Sequence, residues 1–125
     1  RGEEWRTQKE TQRLLDKYFT TKPNGIPGND DTGTMSAWAI FNMIGFYPDC
    51  PGLPEYTLTT PVFNKVTIRL DPKWYKEKEL VIESNRTQPG TLYINKVLLN
   101  GKKFNQYRIT HDELVHSQRI LFDLK

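Results

Sequence analysis

The chain has 125 residues, a formal net charge of +3, and six Phe, six Tyr and three Trp. That is length and apolar bulk enough for one domain with its own core, and it excludes a wholly disordered chain. Charges of both signs are interspersed, as where Lys73, Lys76 and Lys78 flank Glu77 and Glu79, so the plain reading is a solvated face and not a nucleic-acid or other polyanion surface.

No apolar run approaches the roughly 20 residues of a membrane span. The sequence opens at Arg1, without an initiator Met or a leader and in charged helical sequence, which points to a processed product or a fragment. Cys50 is the single cysteine. It has no partner for an internal disulfide or a zinc site, and its plain reading is a half-buried thiol beside Pro51.

Residues 3–20 predict an amphipathic helix: Thr11, Leu14, Leu15, Tyr18 and Phe19 follow one face at helical spacing. Pro23-Asn24-Gly25 stops it and turns the chain. A Gly-rich acidic loop follows, Gly28-Asn29-Asp30-Asp31-Thr32-Gly33. The spacing then predicts a helix over 34–44, with Asp31 and Thr32 as N-cap candidates and Gly45 and Pro48 ending it. Met35, Ala37, Trp38, Ala39, Ile40, Phe41, Met43 and Ile44 leave that helix almost no polar face. Such a helix is expected to be buried on most sides, yet the chain supplies only one other long helix to cover it.

After Pro48 the pattern turns to strands. Val62, Val66, Ile68 and Leu70 alternate with polar residues, and 79–83, 91–99 and 119–124 read similarly. Asn100-Gly101 signals a tight hairpin, and Thr110-His111-Asp112-Glu113 has capping-box spacing. The expected fold class is therefore α+β: two helices followed by a small antiparallel sheet.

Three readings of the acidic loop stand side by side. Adjacent Asp residues before a helix can cap it and oppose its positive N-terminal dipole. Hard oxygen ligands suit calcium, although the loop lacks EF-hand spacing. Carboxylate catalysis is the third, and it needs a second carboxylate across a substrate pocket. Elsewhere, Trp5 and Trp74 read as packing residues, and His111 with His116 makes a poor metal pair at a five-residue spacing. Asn85-Arg86-Thr87 is a glycosylation sequon, expected on a surface loop if the source is eukaryotic and secretory.

The run from Gly25 to Trp38, Gly-Ile-Pro-Gly-Asn-Asp-Asp-Thr-Gly-Thr-Met-Ser-Ala-Trp, closely resembles the signature of family 92 α-mannosidases. Gly45-Phe46-Tyr47-Pro48, Cys50-Pro51-Gly52, Pro54-Glu55-Tyr56, Pro61 to Ile68 and Leu99 to Lys102 also resemble that family, in order and across essentially the whole chain. The resemblance implies the last helices of an (α/α)6 barrel over residues 1–48 and a β-rich C-terminal region over 49–125, a fragment of a larger fold. It implies removal of terminal α-linked mannose from glycans by an inverting, calcium-dependent reaction. The implied partners are a mannose-terminated glycan and the remainder of the same enzyme, an upstream barrel and β-sandwich, with no nucleic acid. The expected localisation is secreted, periplasmic or in the secretory pathway.

Carried over residue by residue, Asp31 is the general base, alone or with Asp30. Asn29, Gly28 and Trp38 support the base or the substrate. Calcium ligands cannot be assigned from these residues. The family's general-acid Glu lies upstream of the signature and has no counterpart here, so the chain alone is expected to be inactive. Two departures concern packing: Ala39 replaces a usual aromatic, and Thr34 replaces a usual polar amide. The alternative is a non-catalytic structural or interaction module derived from the family.

Overall fold

A computed structural model describes residues 2–125. Helix α1 spans Glu4–Tyr18, α2 spans Thr34–Ile44 and α3 spans His111–Val115. The first two fall where spacing placed them. Helix α1 ends as Phe19 turns extended, its N–H still donating to the Leu15 carbonyl at 3.1 Å. The Thr20 N–H then donates to the Gly25 carbonyl at 2.8 Å, closing a turn over Pro23-Asn24. Only glycine fits at 25, because a Cβ there would lie 2.0 Å from the Thr20 carbonyl oxygen.

Eight strands follow among the described residues: β1 Phe46–Tyr47, β2 Glu55–Leu58, β3 Lys65–Arg69, β4 Glu79–Arg86, β5 Ile94–Leu99, β6 Lys102–Phe104, β7 Arg108–Thr110 and β8 Arg119–Leu124. They form two sheets, and this corrects the expectation of one small antiparallel sheet. A three-stranded sheet has the order β1-β2-β7, and a five-stranded sheet has the order β3-β4-β8-β5-β6. The second sheet is mixed, because β4 and β8 run parallel from Val81 opposite Arg119 to Arg86 opposite Leu124. Alternation along a strand fixes which face is buried; it carries no information on the neighbour or its direction.

The predicted hairpin joins β5 to β6, with Asn100 at φ 48 and Gly101 at φ 81. Two consecutive positive φ values are what a two-residue type I′ turn needs. At α3 the capping box is complete: the Glu113 N–H donates to the Thr110 hydroxyl at 3.1 Å, and the Thr110 N–H donates to Glu113 at 2.9 Å.

The two sheets share one core. Phe46, Leu58 and Ile109 come from the smaller sheet, Leu80, Ile82, Ile94, Val97, Ile120, Phe122 and Leu124 from the larger, and Leu114 from α3. Phe41 and Ile44 of α2 pack against its edge. Helix α1 is tied on through Gln8, a buried amide whose oxygen accepts from the Ile94 N–H at 3.1 Å.

Helix α2 departs from expectation. It buries only Ala39 and Asn42, and Ile40 is 56% exposed. None of the described residues covers that outer face. Cys50 is exposed, not half-buried. Trp5 and Trp74 are exposed too, each beside a cation, Arg6 and Lys73, in place of a packed core.

Candidate active site

The acidic loop enters α2 through an arrangement that spacing did not anticipate. Asp31 and Thr32 do not cap the helix. The residue at the cap is Gly33, with φ 84, preceded by Thr32 at φ 53. Two left-handed residues in succession fold the loop back, and glycine carries the second at no steric cost. That reversal brings Asp30 over the helix end. One Asp30 oxygen accepts from the Ser36 N–H at 2.8 Å and the other from the Ser36 hydroxyl at 2.6 Å. Ser36 is the third residue of α2, so its N–H is one of the helix's orphan donors. An acid-to-donor spacing of six residues is longer than the usual cap, which is why the pairing was missed.

The neighbouring Asp31 is held by its backbone. Its carbonyl accepts from the Thr32 and Thr34 hydroxyls, each at 2.7 Å. Among the described residues, no donor bonds the Asp31 carboxylate, and the residue is exposed. The two carboxylates therefore differ. The Ser36 hydroxyl and then the Ser36 amide hold the Asp30 carboxyl below the ordinary Asp range. A carboxylate saturated with donors is a poor proton acceptor. Asp31 has its oxygens free for water or a ligand, on a backbone fixed at carbonyl and helix end. Gly28 and Asn29 precede the pair on the surface.

Trp38, one turn into α2, stacks on Phe19 at a centroid distance of 5.4 Å and meets the edge of Tyr47 at 6.4 Å. It locks the end of α1 to β1, a packing task. It also lines an open groove of about 1120 Å³ between the helices and the smaller sheet, together with Thr11, Asn42, Tyr47, Asp49 and Arg108. Asp30 and Asp31 do not line this groove. Sequence reasoning missed its charged pair: Arg108 holds Asp49 with two bonds, 3.0 and 2.6 Å, and reaches Glu55 at 3.9 Å. Burial acts most strongly on the Asp49 carboxyl and raises it, but the Arg108 guanidinium and the Thr57 hydroxyl together outweigh it and hold the carboxyl below the usual range. The partners are 59 residues apart in sequence, and no local signal announces them.

Among the described residues, no group of three or more His, Cys, Asp or Glu could hold a metal ion. His111 stands between the Tyr56 hydroxyl, 2.9 Å from Nδ1, and the Tyr75 hydroxyl, 3.4 Å from Nε2. His116 turns instead to the Asp112 carbonyl at 2.8 Å.

A family model described as the glycosyl hydrolase family 92 catalytic domain matches residues 1–125. The chain superposes on a family GH92 α-mannosidase from Bacteroides thetaiotaomicron, solved with mannoimidazole, at a TM-score of 0.88 and 31% identity, covering 98% of this chain and 16% of that one. A family GH92 inverting mannosidase from Bacteroides thetaiotaomicron VPI-5482 matches at 0.84 and 36% identity, again over 98% of this chain and 16% of that one. An uncharacterized secreted glycosidase of Arthroderma benhamiae is 30% identical over 104 residues, which is 83% of this chain and 13% of that protein. The matches place the chain among the glycosyl hydrolases. Within them it belongs to family 92, and it spans about one-sixth of the length of the structures it resembles.

Proposed function

We propose that this chain is the base-bearing C-terminal portion of an exo-acting α-mannosidase, with Asp31 as general base. The observation that carries the reading is the division of labour in the loop. Asp30 is spent on Ser36, and Asp31 next to it presents an unpaired carboxylate. An inverting glycosidase needs one carboxylate to take a proton from the attacking water and a second carboxylic acid on the opposite face of the sugar. Asp31 accepts the water proton as the oxygen bonds to the anomeric carbon. The acid, supplied from outside this chain, protonates the departing oxygen as its bond to that carbon breaks. The similarity to an inverting mannosidase supports this course.

Residues 1–48 would then be the last helices of an (α/α)6 barrel, and 49–125 its β-rich companion. The exposed outer face of α2, with Ile40 at its centre, supports a covering partner from the rest of the polypeptide. Gly28 and Asn29 shape the approach to the base, and Trp38 supports α2 from behind. Calcium remains part of the proposal for the whole enzyme; none of this chain's residues is assigned to it, and no step is routed through it. The relative described as a secreted glycosidase supports a secreted or secretory-pathway localisation, and no helix here is long and apolar enough to cross a membrane among the described residues.

The test is Asp31→Asn in the full polypeptide. The expected result is a loss of kcat of at least ~10²-fold on an α-linked mannoside, as for removal of a general base. Turnover at the wild-type rate would end the assignment. A second reading, a non-catalytic module of the family, is favoured by one observation: the groove between the helices and the smaller sheet lies beside Trp38 and excludes Asp31. That reading expects no α-mannoside hydrolysis by the wild-type polypeptide at all.

A further inference from the structure

The outer face of the five-stranded sheet carries a feature that catalysis does not use. Along β4, Leu80, Ile82 and Ser84 point into the core, and Glu79, Val81, Glu83 and Asn85 point away from it. Asn85 opens the run Asn85-Arg86-Thr87, the acceptor pattern for N-linked glycans, which begins on the last residues of β4 and not on the loop expected from sequence. Its middle residue is anchored inward: the Arg86 guanidinium donates to the carbonyls of Thr91 at 3.0 Å, Val62 at 3.2 Å and Pro61. Anchoring the centre fixes the backbone and leaves Asn85 outside. Thr87, just past the strand, is exposed as well.

Three further observations make Asn85 available. It is exposed, and among the described residues its side chain makes no hydrogen bond. Asp123, its register partner on β8, is occupied by Asn95 at 3.0 Å and Lys96 at 4.0 Å. Strand β3 pairs with β4 only as far as Glu83, so Asn85 projects beyond the edge strand. Glu83 pairs with Arg119 at 2.5 Å and with Lys65 at 3.8 Å. An ion-paired outer face of this kind leaves room for a bulky polar substituent, unlike the apolar face of α2 on the helical side.

We propose that Asn85 is a site of N-linked glycosylation, which rests on the secretory localisation proposed above. The donor is a lipid-pyrophosphate-linked oligosaccharide delivered by a transferase of the secretory pathway. The Asn85 Nδ2 forms a bond to C1 of the first sugar. The C1–O bond breaks with its electrons departing on the lipid pyrophosphate, and the amide proton passes to the transferase's base. Thr87 supplies the hydroxyl the transferase reads.

The experiment expresses the full polypeptide in a eukaryotic host in two forms, one with its native N-terminal sequence and one behind a heterologous leader. Glycans are released enzymatically in heavy-oxygen water, which converts a glycosylated Asn to labelled Asp. Labelled Asp is expected at position 85 in most molecules of both forms. Asn85→Gln and Thr87→Ala should each abolish the label, and Thr87→Ser should keep it. An unlabelled Asn85 in protein secreted behind the heterologous leader overturns the site. A native form that stays in the cytosol overturns the compartment, and with it the modification, while leaving the accessibility of Asn85 to be read from the other form.

Discussion

The sheets and the helices of this chain differ in how far each completes itself. In the sheets, Ile82, Ile109, Ile120, Phe122 and Leu124 are at most 1% exposed, and the inward apolar residues of the two sheets pack together in one core. In the two long helices, α1 buries Gln8 and Leu15, α2 buries Ala39 and Asn42, and Ile40 lies open. Burial is worth roughly 25 cal/mol per Å² of apolar surface, so the sheet region has collected its stabilisation and the helical region has not. The candidate base sits in the unfinished region. The chemistry is thus placed where the chain is most open to other structure.

Substitutions can break or sharpen this contrast. The largest expected effect is in the finished region: Phe122→Ala should destabilise the chain by about 3–5 kcal/mol in denaturant unfolding, as for a large aromatic lost from a closed core. Thr110→Ala should cost about 1 kcal/mol by removing the capping box of α3, with hydrolysis by the full polypeptide unchanged.

Asp30 gives a pH signature that Thr110 lacks. Its folded-state pKa is depressed by Ser36, so its contribution is present above the unfolded value of about 3.9 and is lost as pH falls through the lower folded value. The stability difference between wild type and Asp30→Asn should be constant near neutrality and vanish in strongly acidic solution. A difference that persists there would mean that Asp30 does not act as an ionised cap.

The smallest effect is expected at Ile40→Ser, within about 0.5 kcal/mol for the 125-residue chain, as at an exposed position. In the full polypeptide the same change should cost clearly more. Equal costs in the two settings would show that α2 needs no cover.

Much of the local structure was legible in the sequence. The helical stripes located α1 and α2, Asn100-Gly101 located the β5–β6 hairpin, and Thr110 with Glu113 located the cap of α3. All of these depend on residues within a few positions of one another. Non-local pairings were not legible. The Asp49–Arg108 ion pair and the parallel β4–β8 register have partners tens of residues apart.

The acidic loop lies between these cases. Its residues were singled out correctly as an acidic helix entry. Cap duty was given to Asp31 and Thr32 when it belongs to Asp30, because spacing cannot foretell a left-handed threonine at 32. Exposure of the α2 face could be posed as a mismatch between an apolar helix and too few neighbours. Which face would stay open required the fold.

The position of β8 bears on how the molecule is made. It is the most C-terminal of the eight strands, yet it occupies the centre of the larger sheet between β4 and β5. The hairpins β3–β4 and β5–β6 can form early on the ribosome, but they do not touch until β8 inserts between them. Domains synthesised at about 5–20 residues per second fold as units only once their parts are available. During translation this sheet therefore waits as two half-built, sticky ribbons, and the sequence after Gln118 is the wedge that turns them into one.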